Sequence, residues 1–220
     1  MENLAKILNE LRCGNNLGEE ITLVGATKTK SVDEINHAIE CGLKVVAENR
    51  VQEFRDKTDL INKCASQHFI GHLQTNKVKY LVGKVDLIHS VDTVRLAEEI
   101  SKEAVKKGVT QDILCEVNIG EEQSKSGFNF SEVEMAVKTI SSLENVRVKG
   151  LMAMLPLMDD ESVLADLCQK MRALYDELKV KGYPFAYLSM GMSGDYKIAI
   201  KNGSNMVRIG SGIFGARVYN

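Results

Sequence analysis

ITLVGATKTKSVDEINHAIECGLKVVAE, residues 21–48, contains one full turn of the pattern that decides the fold. Its first seven residues form a short apolar run. In VDEINHAIECG (32–42) the apolar residues return at helical spacing and a glycine closes the segment; a second apolar run, KVVAE (44–48), follows. This reads as buried strand, helix, buried strand. Outward along the chain the runs HFIG (68–71), DLIHS (86–90), DILCEVNI (112–119), VRVKGLMAM (146–154), AYLSMG (186–191) and MVRIG (206–210) bring the expected strands to eight. Helical patterns such as VRLAEEISKEAVKKG (94–108) and VLADLCQKMRALYDELKVKG (163–182) lie between them. Strict alternation implies parallel strands joined by right-handed crossovers, and eight repeats suit a closed (β/α)8 TIM barrel better than an open sheet. We expect residues 1–220 to form a single α/β domain, a length at which barrels of this kind are common.

With 28 basic and 30 acidic side chains the net charge is −2, so no surplus of positive charge points to nucleic acid or an anionic membrane. Cys13, Cys41, Cys64, Cys115 and Cys168 are scattered and contain no C-x-x-C pair, and are expected to be reduced, mostly buried thiols. The N-terminal MENLAKILNELR is amphipathic, without an apolar signal core. Nowhere does the chain offer the roughly 18 consecutive apolar residues of a membrane span, so a cytoplasmic protein is expected.

In such a barrel the site lies at the C-terminal ends of the strands. Successive side chains of a strand point to opposite faces, so Thr22, Val24, Ala26 and Lys28 share one face and Ile21, Leu23, Gly25 and Thr27 the other. The larger apolar set suits the outer helices, which turns Lys28 inward at the rim. A neutral amine there can attack an aldehyde and form a Schiff base, and burial or neighbouring positive charge lowers a lysine pKa toward that state. Position alone favours ordinary solvated residues of a βα loop for Lys28 and Lys30.

The same period turns Arg208 inward on the last strand, with Val207 and Ile209 outward. A guanidinium inside a barrel requires an acceptor, either an acidic side chain or a ligand atom. Before it, GMSGDYKIAI (191–200) places Ser193 between Gly191 and Gly194, ahead of a helix expected to begin near Asp195. Ser193 is read either as that helix's cap or as part of an anion site. Gly210-Ser211-Gly212-Ile213-Phe214-Gly215 matches G-x-G-x-x-G literally but lacks the βαβ unit and later acidic residue of a dinucleotide site. What remains is a glycine-rich turn after the last strand, where Gly210 and Ser211 can approach a phosphate closely. His68 and His72 lack the context of a zinc site, and no metal is expected. Lys125 lies in a long loop where it could attract an anion, and Glu121 and Glu122 read as solvated charge.

Seven segments in order, ATKTK (26–30), AENRVQE (47–53), HFIGHLQTNK (68–77), EEQSKSG (121–127), GLMAM (150–154), LSMGMSGD (188–195) and MVRIGSGIFGAR (206–217), make the chain similar to the YggS/PROSC (PLPBP) family of pyridoxal phosphate homeostasis proteins. The resemblance implies a barrel of the alanine-racemase N-terminal-domain type, with pyridoxal 5′-phosphate carried as a Schiff base on Lys28. It further implies that Asn49 lies beside the cofactor, that Ser193, Gly194, Gly210 and Ser211 surround the phosphate, and that Arg208 faces the pyridine nitrogen. Ala47 departs from the glycine usual in the family, and the N-terminal segment is short.

A cation at the pyridine nitrogen disfavours protonation and weakens the ring as an electron sink. Racemases on this barrel take a tyrosine base from a second domain, which the end of the chain soon after the eighth strand leads us not to expect. The expected function is therefore to hold pyridoxal phosphate for intracellular vitamin B6 and amino-acid homeostasis, without catalytic residues, as a monomer that delivers it to apo pyridoxal-phosphate enzymes. The competing readings are a pyridoxal-phosphate-dependent racemase or decarboxylase, and a cofactor-free lyase forming a Schiff base with a phosphorylated sugar.

Overall fold

The structure is a computed structural model and describes residues 1–120 and 126–215. Glu121, Glu122, Lys125 and Arg217 lie outside the described residues. Nine strands are described: β1 (Thr22–Ala26), β2 (Val45–Glu48), β3 (Ser66–Phe69), β4 (Leu87–Val91), β5 (Gln111–Asn118), β6 (Phe128–Asn129), β7 (Val146–Ala153), β8 (Tyr187–Ser189) and β9 (Met206–Ile209). Eight of them close a parallel barrel in the order β4-β3-β2-β1-β9-β8-β7-β5, with β4 returning to β5. The two-residue β6 pairs only with the end of β5 and stands outside the ring. This is the eight-stranded α/β barrel expected from the sequence, with β3 starting two residues ahead of the run at His68.

The helices are α1 (Glu2–Leu11), α2 (Val32–Glu40), α3 (Val51–Lys57), α4 (Val94–Lys107), α5 (Val133–Ser141), α6 (Glu161–Val180), α7 (Tyr196–Lys201) and α8 (Ser211–Phe214). Local signals set their ends. The Ser31 hydroxyl accepts the Glu34 N–H while the Glu34 carboxylate accepts the Ser31 N–H, a capping box that starts α2. Thr93 caps α4, and Gly108 ends it in the left-handed conformation at φ 64°. The crossover from β3 to β4 breaks the alternation, since the 3-10 stretch Thr75–Tyr80 takes the place of an α-helix.

Strand parity assigns the two faces of the barrel wall. Val24, Val45, Ala47, Leu87, Leu114, Met152 and Met206 meet inside. Leu23, Val46, Val207 and Ile209 face outward onto α1 and α2 residues such as Leu4, Ile7 and Ile35, as read for β1 and β9 from sequence. A larger outer core packs α4, α5 and α6 against β4, β5 and β7 through Ile88, Ile100, Ile113, Val137, Leu151 and Met171. The cysteines are less buried than expected. All five thiols are free, but Cys13, Cys41 and Cys64 are exposed and only Cys115 and Cys168 are buried. The first two follow helix ends rather than sitting in a strand, so their surroundings are loop and solvent. Among the described residues no helix is long and apolar enough to cross a membrane, and no His/Cys/Asp/Glu cluster could hold a metal.

Candidate functional site

At the C-terminal ends of the strands a cavity of about 440 Å³ brings together Lys28, Asn49, Ser193, Gly194, Arg208, Gly210 and Ser211. Every site residue read from sequence is on its wall. Parallel register explains the assembly. Val24 stands opposite Arg208 across β1 and β9, and Ala26 stands opposite Ala47 across β1 and β2, so Lys28 and Asn49 leave neighbouring strands at the same height. Gly71 closes the wall behind Asn49. A Cβ on it would lie 2.0 Å from the Asn49 carbonyl oxygen, so only glycine admits this approach. Asn49 Oδ1 is buried and has no hydrogen-bond partner among the described residues, an acceptor of the kind a ligand satisfies.

Arg208 is buried, and its partners differ from the acidic group offered as one possibility by sequence. Nη1 donates to the Ser189 carbonyl at 2.9 Å and the Ser189 hydroxyl at 2.7 Å, and Nη2 donates to the Ala153 carbonyl at 3.0 Å. Desolvation pulls its pKa down to about 10, against the fields of Glu116 and Asp195. It therefore remains a cation at neutral pH. Because arginine only donates, the Ser189 hydroxyl oxygen accepts from it, and the same oxygen lies 3.3 Å from His89 Nδ1. His89 Nε2 in turn shares a hydrogen bond with His68 Nδ1 at 3.0 Å, one ring donating and the other accepting. Burial holds both rings neutral: His68 is lowered to about 4, and His89 lies well below its ordinary value, pushed further by His68 and Arg208. A hydrogen-bonded chain thus runs through the barrel from Arg208 to His68.

Glu116, on the inward face of β5 beside Leu114, is also buried. Desolvation and the neighbouring Asp92 charge raise its pKa to about 7, opposed by Arg208 and His72. His89, Ser189 and Glu116 were not singled out from sequence. Their signal is a polar residue at inward parity within an apolar run, as in DLIHS, AYLSMG and DILCEVNI.

The glycine-rich turns after β8 and β9 meet at the same cavity. Ser193 Oγ accepts the Gly212 N–H at 3.2 Å and so ties the two turns together, while Asp195, not Ser193, occupies the cap position of α7. A Cβ on Gly194 would meet nothing within 4 Å, so its backbone borders open space, whereas Gly210 lies against the Ala26 carbonyl. The Ser193 and Gly194 N–H groups make no hydrogen bond among the described residues. These turns therefore offer backbone donors at the cavity, the chemistry that suits a phosphate. Together with the orphaned Asn49 oxygen and the Lys28 amine, these residues fit a small anionic ligand bearing an aldehyde.

The chain matches the family described as alanine racemase, N-terminal domain, over residues 21–218. It is 43% identical over 222 residues to the pyridoxal phosphate homeostasis protein of Aquifex aeolicus, covering 100% of this chain and 96% of that one. It is 35% identical over 228 residues to the protein of the same name from Escherichia coli, covering 99% and 97%. Among solved structures it is similar to PipY of Synechococcus elongatus with PLP bound, at a TM-score of 0.84 and 28% identity, covering 97% of this chain and 99% of that one.

Proposed function

Because this chain belongs to the alanine racemase N-terminal domain family and, within it, to the pyridoxal phosphate homeostasis proteins, we propose that it holds pyridoxal 5′-phosphate covalently through Lys28. The observation that carries this reading is the convergence of Lys28, Asn49, Arg208 and the two serine–glycine turns on one rim cavity. When bound, the cofactor supplies an aldehyde that condenses with a neutral amine, the C=N bond forming as the carbonyl oxygen leaves as water. Lys28 would provide the amine. Ser193, Gly194, Gly210 and Ser211 would hold the phosphate, and Asn49 would use its unpartnered oxygen at the ring. Arg208, a cation held from behind by Ser189 and Ala153, would face the ring nitrogen and disfavour its protonation. A ring so placed is a weak electron sink, which supports storage and delivery to apo-enzymes rather than turnover.

Titration of the purified protein with pyridoxal phosphate and with phosphate-free pyridoxal tests the assignment of the phosphate to these turns. Both aldehydes should give a visible band, pyridoxal with far weaker affinity, and Ser193→Ala should narrow that difference. Equal affinities in the wild type would contradict that assignment. Steady product formation from an amino acid, lost in Lys28→Ala, would favour an enzyme instead.

A further inference from the structure

The turn that carries Lys28 is strained. Lys30 donates its N–H to the Thr27 carbonyl at 3.1 Å, closing a four-residue turn around Lys28 and Thr29. Thr29 has φ 63°. A positive φ at the third residue of such a turn favours glycine, and a β-branched side chain there is an outlier. The other positive-φ residue among the described non-glycines is Asn145, a type that tolerates this region.

Three charged side chains from β2 and α3 grip the turn. Glu53 Oε2 accepts the Thr29 N–H at 2.8 Å. Lys57 Nζ donates to the Thr27 carbonyl at 3.3 Å, to Glu48 Oε1 at 2.8 Å and to Glu53 Oε2 at 2.9 Å. The Thr27 hydroxyl donates to Glu48 Oε1 at 2.7 Å. The Lys57, Glu48 and Glu53 side chains are only 14%, 7% and 21% exposed. Burial disfavours the charge on Lys57, but the Glu48 and Glu53 carboxylates more than offset it and raise the pKa above its ordinary value.

A largely buried ion network gives little stability beyond what apolar packing would provide, so its location calls for a reason. This one contacts the backbone N–H of the strained residue and the carbonyl at the start of its turn. Backbone strain persists where surrounding structure over-determines it, and it gathers at working sites. We propose that Glu53, Lys57 and Glu48 are positioning residues, a clamp that holds the Thr27–Lys30 turn in its strained form so that Lys28 is aimed into the cavity. The clamp rests on the reading of Lys28 as the cofactor anchor. It also gives a physical role to both glutamates of AENRVQE: Glu48 ends β2, and Glu53 shares one face of α3 with Lys57.

The test uses Glu53→Ala and Lys57→Met, each alone and combined with Thr29→Gly, with Lys28→Ala alongside. Glycine takes a positive φ without strain, so the turn no longer needs its clamp. The readouts are pyridoxal phosphate affinity from the visible band of the Lys28 adduct, and the melting temperature of the unloaded protein. Each single variant should bind about tenfold more weakly or worse, and Thr29→Gly should return most of that affinity. A folded Glu53→Ala protein with wild-type affinity overturns the clamp, as does a folded double variant whose affinity stays low. Should a single variant fail to fold, the double decides: a double that also fails to fold means the network supports the barrel rather than the turn. If Lys28→Ala still forms the adduct, the anchor reading has failed; if it abolishes the adduct while Glu53→Ala binds fully, the clamp alone has.

Discussion

Ser189→Ala removes one oxygen from the barrel interior and breaks two contacts together. The first is the 2.7 Å bond from the Arg208 guanidinium, a charge-assisted bond worth about 1.5–3 kcal/mol. The second is the 3.3 Å contact to His89 Nδ1, which is long and weak, but its loss leaves a buried imidazole nitrogen without its partner, at about 1 kcal/mol. Arg208 keeps its bonds to the Ser189 and Ala153 carbonyls, so the guanidinium stays paired. The sum is about 3 kcal/mol of lost stability. For a chain of this size each kcal/mol moves the melting temperature by about 2–4 °C, which gives a fall of about 9 °C. Thermal unfolding of the unloaded protein followed by circular dichroism measures it. Nitrogen chemical shifts of His89 should change as well, because Nδ1 loses the hydroxyl beside it. A melting temperature within 2 °C of wild type, with His89 shifts unchanged, would refute the chain from Arg208 through Ser189 to His89.

Two further perturbations test other parts of the interior. Glu116 has a folded pKa of about 7 against an ordinary 4.5, so between those values the native state keeps a proton that the unfolded state has released. Its contribution to stability therefore falls as pH rises from 4.5 to 7. Glu116→Gln should match wild type in denaturant unfolding at about pH 4 and exceed it by about 3 kcal/mol at about pH 8; a difference that does not grow with pH would contradict the assignment. The low-pKa His68 and His89 produce the opposite slope but are present in both proteins and cancel. Gly71→Ala would place a methyl group 2.0 Å from the Asn49 carbonyl oxygen. It should destabilise the protein by about 3 kcal/mol or more in denaturant unfolding and weaken cofactor binding, and a neutral effect on both would show that the β3 loop yields freely.

Period-two alternation carried much of the site. In ITLVGATK and MVRIG the apolar residues are large enough on one parity to identify the helix-facing side, which sends Lys28 and Arg208 inward before any contact is known. The glycines after β8 and β9 marked the turns that line the cavity. Contacts between segments distant in the chain left no such trace. The Glu53 bond to Thr29 spans 24 residues, and the Ser189 contact to His89 spans 100. Sequence also does not show that Thr29 adopts a positive φ, because threonine is the wrong residue to suggest it. The 3-10 stretch Thr75–Tyr80 escaped for a different reason: it is too short to establish a helical period. Exposure of Cys13, Cys41 and Cys64 was misjudged because burial of a small thiol is decided by where its loop packs, not by its type.

The central claim is that Lys28 is the covalent anchor of pyridoxal phosphate. Wild type and Lys28→Ala, each loaded with pyridoxal phosphate, reduced with borohydride and digested, give peptides whose masses locate the attachment. A stable cofactor adduct is expected on the peptide containing Lys28 in the wild type, and no adduct at any residue in Lys28→Ala. A wild-type adduct confined to another lysine, or an undiminished adduct in Lys28→Ala, would contradict it.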